Sequence, residues 1–190
     1  QPLIFMIGCG HIEQDEWKWV GFTADSLTES CEAGIIDSWL EHMKEVNQRL
    51  GSNGVDPLVF HWSHAETSTF ETSINSAKER HPGKKWSDPH WYDFLKLVIR
   101  EEPVVVRGSF GFGLKSMANA MHSHDLIQTR WDAGPTDGLG AMVGAWWSAS
   151  EAEKIGCSLG DVQMMKEIQR YNEIDCQAMM EIITYLRKFH

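Results

Sequence analysis

Tyr171 and Asp175 stand four residues apart in the run Tyr171-Asn172-Glu173-Ile174-Asp175-Cys176. The surrounding segment is strongly periodic, carries no capping signal and extends from Asp161 to Phe189. On a helix, that spacing sets the phenol and the carboxylate one turn apart on a shared face. The pair suits metal-dependent phosphodiester hydrolysis: a carboxylate holds a hard cation through oxygen, and a hydroxyl orients the attacking water. The competing structural reading is a surface Asp one turn after a half-buried Tyr, on a helix whose apolar face is Met165, Ile168, Met179, Met180, Ile183 and Leu186.

Other residues extend the chemistry. Val59-Phe60-His61-Trp62-Ser63-His64-Ala65-Glu66 carries a strand through a polar turn into a helix, the place where α/β enzymes set reactive groups. Glu66 near a helix start is also favoured by the exposed N–H groups alone. Asp93 is a single acid in the apolar run Trp91-Tyr92-Asp93-Phe94-Leu95, either at a solvent edge or recruited to a site. Arg107-Gly108-Ser109-Phe110-Gly111-Phe112-Gly113-Leu114-Lys115-Ser116 is glycine-rich, but Leu114 separates Gly113 from Lys115, so it is no P-loop. It reads as a tight loop opening a helix, where Lys115 can meet a phosphate. Trp62 and Trp146-Trp147 are aromatic candidates for base stacking or for the core. His61, His64, His122 and His124 lack the spacing of a four-ligand zinc site.

These residues need a scaffold. The chain has 190 residues, enough for one domain with a substantial core, and its nine Trp and eight Phe supply large packing units. The four cysteines (Cys9, Cys31, Cys157, Cys176) form no Cys-x-x-Cys pair, so a reducing, cytoplasmic setting is expected. No apolar stretch is long enough to span a membrane. The formal charge of −10 argues against a passive coat on nucleic acid. It argues less against a nuclease, because carboxylates recruit a cation that then faces the phosphate.

Patterning predicts strands at Leu3–Ile7, ended by Gly8 and Gly10, and at Trp17–Phe22, paired as a hairpin across Glu13-Gln14-Asp15-Glu16. A helix capped by Asp25 or Ser26 follows, with Ile35, Ile36, Trp39, Leu40, Met43 and Val46 at helical spacing and Gly51 as its stop. A strand is expected over Pro57–Trp62, a helix over Glu66–Arg80 and a loop over 81–85. Trp91–Ile99 fits helix or strand, and Val104–Val106 a short strand or extended segment. Helices are expected at Leu114–His122, Gly140–Ser150 and about Asp161–Lys188, with a loop over Trp131–Leu139. Strands first and helices after give an α/β or α+β domain on one sheet.

In this order the pieces resemble an RNase H-like domain of the DEDD 3′–5′ exonuclease type, in the variant found in predicted RecB-family nucleases. The resemblance rests on Leu3-Ile4-Phe5-Met6-Ile7-Gly8 with Glu16-Trp17-Lys18-Trp19, then Phe60 to Glu66, Trp91 to Leu95, Gly113-Leu114-Lys115-Ser116 and Tyr171 to Cys176. It implies an α/β, RNase H-like mixed sheet flanked by helices over residues 1–190, and two-metal hydrolysis with Mg²⁺ or Mn²⁺. By the resemblance, Asp175, Glu66 and Asp93 are the metal ligands, and Tyr171, Asp175 and Glu66 the catalytic set. Lys115, Trp62 and His64 are the implied nucleic-acid contacts. Glu66 stands where the family usually carries Asp. The family's first motif, an Asp-x-Glu on a central strand, would lie before residue 1, so the chain is expected to be a fragment that cuts little by itself. The implied partners are nucleic acid, DNA first, and a helicase or nuclease domain in the same or a partner chain, with no membrane. The alternative is a non-catalytic nucleic-acid- or protein-binding module on the same fold.

Overall fold

The computed structural model describes residues 3–49, 57–131 and 138–190, without the side chains of 64–66 and 138. Two strands open it, β1 (Met6–Glu13) and β2 (Glu16–Thr23), paired antiparallel with Met6 opposite Thr23 and Glu13 opposite Glu16. Gln14 and Asp15 form the turn with φ of 54° and 65°, the left-handed geometry that a two-residue hairpin loop demands. A hairpin turning within Glu13–Glu16 is as expected, but its first strand is Met6–Glu13 rather than Leu3–Ile7 and does not stop at Gly8 and Gly10. Both lie inside it, because other side chains fill the space where theirs would be. A Cβ on Gly10 would stand 2.0 Å from the Trp17 ring, one on Gly21 2.3 Å from Trp19, and one on Gly8 1.8 Å from Asn172 Oδ1. Register puts Gly8, Gly10, Trp19 and Gly21 on one face of the ribbon. Three glycines thus make a shallow face in which two indoles lie and against which a helix can close.

α1 (Glu29–Arg49) starts after Thr28, whose Oγ1 accepts the Cys31 N–H at 3.3 Å, rather than at Asp25 or Ser26. Asp25 is occupied elsewhere: its carboxylate accepts Ser158 Oγ–H at 2.8 Å. The expected stop at Gly51 lies outside the described residues. β3 (Leu58–His61) leads into α2 (His64–Arg80), which crosses back to β4 (His90–Asp93), parallel to β3 with Phe60 opposite Tyr92. Trp91–Ile99 is therefore both of its expected alternatives in turn: a strand, then a π-helical turn over Leu95–Arg100. Val104–Val106 is extended but pairs with no strand among the described residues, and Val105 stays exposed.

α3 (Leu114–Ser123), α4 (Gly138–Ile155), a 3₁₀ turn (Leu159–Asp161) and α5 (Gln163–Phe189) complete the chain. α4 begins before the expected Gly140 and outlasts Ser150; residues 132–137 of the expected loop lie outside the described residues. α5 starts from Val162 with no side-chain cap. Its 27 residues gain their stability from packing an apolar face, as long helices do.

The molecule is a mixed α/β fold dominated by helix, and its strands form two separate two-stranded sheets rather than one. Each sheet is held by helices on both faces. Ile7 and Phe22 pack with Ile35, Ile36, Ile74 and Ala77 of α1 and α2. Trp39 of α1 reaches the second sheet, stacking on Trp91 and meeting Phe70 edge-on. On the other side, α5 spans both sheets. Gln169 donates to Thr23 Oγ1 at 2.8 Å at the hairpin, while Ala178, Ile182 and Ile183 join the core around Trp62, Phe94 and Ile99. Residues 171–176 occupy the stretch of α5 between these two anchorages.

Candidate functional site

Three segments converge on that stretch. α3 brings Lys115 in its first turn, the segment after α3 brings Trp131, and α5 brings Tyr171 and Asp175. The Lys115 ammonium lies 4.6 Å from the centre of the Tyr171 ring and 5.8 Å from that of Trp131, inside cation–π range. The Trp131 indole N–H donates to Asp175 Oδ1 at 2.8 Å. Tyr171 and Asp175 therefore do share a helix face, and that face carries a cation between two rings beside an oriented carboxylate. One residue along, Asn172 Oδ1 accepts the Trp19 indole N–H at 3.3 Å and rests in the space left open at Gly8. The glycine face of the hairpin thus fixes the height and rotation of the helix that carries the site.

Cys176 also lies here, and desolvation pushes its thiol up to about 12; burial likewise pushes Cys9 to about 11. Both stay protonated at neutral pH, so neither is a nucleophile.

The remaining expected residues are placed as follows. Asp93 ends β4, and its Oδ1 accepts the Lys96 N–H at 2.9 Å, capping the π-helical turn. Among the described residues no hydrogen bond joins it to Asp175. Glu66 and His64 lie in the first turn of α2, and their side chains lie outside the described residues. Trp62 is 4% exposed, packs on Phe94 and donates its N–H to Phe112 O at 2.7 Å; as a core ring, it has no open face for a base. Trp146 and Trp147, by contrast, are exposed on α4. His61 and His124 use ring nitrogens on backbone carbonyls, of Ser63 at 2.7 Å and of Arg107 at 2.9 Å.

Carboxylate oxygens suit Mg²⁺ or Mn²⁺. Among the described residues, however, no group of three or more His, Cys, Asp or Glu is gathered to hold a cation. Asp175 is oriented by an indole and Asp93 is turned to a backbone amide, so these two do not form a metal site by themselves. No helix of the described residues is long and apolar enough to cross a membrane.

Sequence reasoning missed Trp131 and Asn172. Trp131 lies outside every periodic element, so no pattern marks it as the partner of Asp175. Asn172 carried a weak signal, a small amide inside an amphipathic helix, and its meaning depends on a glycine in β1. No protein-family model, no curated protein and no solved structure matches this chain.

Proposed function

We propose that this chain is the nucleic-acid-facing part of a metal-dependent, 3′–5′ exonuclease-like domain. The observation that carries the reading is the convergence of Lys115, Trp131, Tyr171 and Asp175 on one face of α5. Lys115 meets a backbone phosphate. Tyr171 presents a hydroxyl that orients a water by hydrogen bonding. Asp175 is held in one rotamer by the Trp131 indole, as a preorganised acid should be. The resemblance implies Mg²⁺ or Mn²⁺, and the described carboxylates do not complete a site for either. The reading therefore requires Glu66 and an acid-bearing strand paired onto one of the two short sheets. An RNase H-like arrangement, a DNA substrate, a helicase or nuclease partner and a cytoplasmic setting belong to the same proposal.

The test is degradation of a 3′-recessed or single-stranded oligonucleotide with Mg²⁺ or Mn²⁺, by this chain and by a form extended at its N-terminus with an Asp-x-Glu strand. The extended form should cut and its Asp175→Ala variant should not, with unchanged far-UV circular dichroism. Cleavage retained by Asp175→Ala would remove that residue from the chemistry. The second reading, a binding module without catalysis, is favoured by the absence, among the described residues, of any group of three or more His, Cys, Asp or Glu gathered to hold a cation. It expects no cleavage by the extended form and no stabilisation on titrating Mg²⁺.

A further inference from the structure

The loop before α3 spends structure on exposing an aromatic ring. Phe110 is 103% exposed and Phe112 40%. The backbone beneath them is nonetheless tightly held. Ser109 N–H donates to Val106 O at 3.0 Å, and Ser109 Oγ donates to Gly111 O at 2.6 Å. Ser109 Oγ also lies 2.9 Å from Ser116 Oγ on α3, and the buried Trp62 donates to Phe112 O. Gly108 turns the chain with φ of +91°, which side-chain-bearing residues rarely adopt. A fully exposed ring on a pinned loop has already lost the backbone entropy that binding would otherwise cost.

Charge says what it faces. The chain has 27 acidic residues, yet residues 103–124 contain Arg107 and Lys115 and no Asp or Glu. Arg107 is exposed and begins the loop; Lys115, in the first turn of α3 just after it, reaches the Tyr171 ring. An aromatic platform between two cations, on a segment that contributes no carboxylate of its own in an otherwise acidic protein, has the chemistry of a single-stranded nucleic acid contact: a base on the ring, phosphates on the flanking charges.

We propose that the loop 107–113 binds single-stranded nucleic acid, with Phe110 stacking on a base and Arg107 and Lys115 meeting adjacent phosphates. The contact leads a strand toward the face of α5 that carries Tyr171 and Asp175, and that direction alone rests on the hydrolytic reading. Binding itself does not.

The experiment is fluorescence anisotropy of a labelled dT oligonucleotide with this chain in EDTA at low salt, using a U oligonucleotide and a DNA duplex as further arms. Phe110→Ala should weaken single-strand binding about tenfold, one base's stacking, while Phe110→Trp restores it and the duplex arm changes little. Arg107→Ala should lower the salt slope by about 0.7. Unchanged affinity in Phe110→Ala would overturn the proposal, as would a wild-type chain that binds no single strand. So would a Phe110→Ala variant whose only change is a loss of self-association. If Phe110-dependent binding holds and the extended form never cuts, hydrolysis fails and this contact stands. If cutting holds and Phe110→Ala binds normally, the reverse is true.

Discussion

Glu32 offers the sharpest test of how the scaffold is held. Its carboxylate is 1% exposed and accepts the Ile4 N–H at 2.8 Å, tying the lead into β1 to α1. The Arg80 guanidinium, 7% exposed, grips it from α2 through Nε at 3.1 Å and Nη2 at 2.7 Å, and also donates from Nη1 to Ser76 Oγ at 2.6 Å. Glu32→Gln keeps the volume and an acceptor for Ile4, but takes away the carboxylate charge that the buried Arg80 guanidinium grips. Breaking one side of a buried pair costs about 3–5 kcal/mol, and the retained acceptor places this variant near ~3 kcal/mol. For a domain of this size that is a fall in Tm of about 6–12 °C, or about 1.5 M in urea midpoint at a slope of ~2 kcal/mol/M. Arg80→Met should cost a similar amount, and the double variant should be less destabilised than the sum by about 2 kcal/mol or more, because the two charges that couple in the native protein are then both absent. Urea unfolding followed by tryptophan fluorescence reads all three. A Glu32→Gln midpoint within about 0.3 M of wild type, or strictly additive effects, would refute the reasoning.

Gly8→Ala should destabilise by about 1–3 kcal/mol through overpacking against Asn172 and Trp19. Gly34→Ala, in α1 with nothing within 4 Å of the added Cβ, should stabilise by up to about 1 kcal/mol; thermal melts compare the two. His11 and His42 face each other at 5.5 Å with Glu13, Lys18, Glu45 and Arg49 nearby, and desolvation lowers both below the ordinary imidazole value. The unfolded chain then takes up protons first, so this contribution is present above about pH 6.5 and is lost as pH falls below it. His42→Gln should flatten the drop in urea midpoint between about pH 7.5 and about pH 5.5. Hydrogen bonds from Ser26 and Thr28 lower the Cys31 thiol, whereas Cys9 and Cys176 are raised. Ellman's reagent should therefore modify Cys31 in the native protein well before Cys9 or Cys176, with mass mapping to check the order. Trp131→Phe removes the indole bond to Asp175 and should reduce the change in tryptophan emission on adding single strand; an unchanged fluorescence response would separate Trp131 from binding.

The elements that rest on local periodicity were readable. α5 shows its apolar stripe in Met165, Ile168 and Ile183, and the hairpin shows its alternation from Trp17 to Phe22. What was not readable depends on distant partners. Gly8 and Gly10 look like strand terminators until Trp17 and Asn172 are seen in their space. Thr28 rather than Asp25 caps α1 because Ser158, far along the chain, claims Asp25. A single sheet was expected from strand count, but strand count carries no pairing information, and the described strands pair only two by two. Of the candidate site, the Tyr171–Asp175 face and Lys115 were legible from spacing and loop chemistry. Trp62 was not, since an indole before a helix reads alike whether it faces solvent or Phe94.

The closing of the hairpin by α5 has a consequence for how the protein is made. The bond between Trp19 and Asn172 spans 153 residues. At ribosomal rates, β2 is finished on the order of ten to thirty seconds before α5 exists to cover it. Through that interval the nascent chain displays a groove of two indoles over glycine, flat, apolar and edged by unpaired backbone. Chaperone capture during synthesis should centre on this ribbon, and a chain released before α5 should precipitate rather than linger as a native-like intermediate.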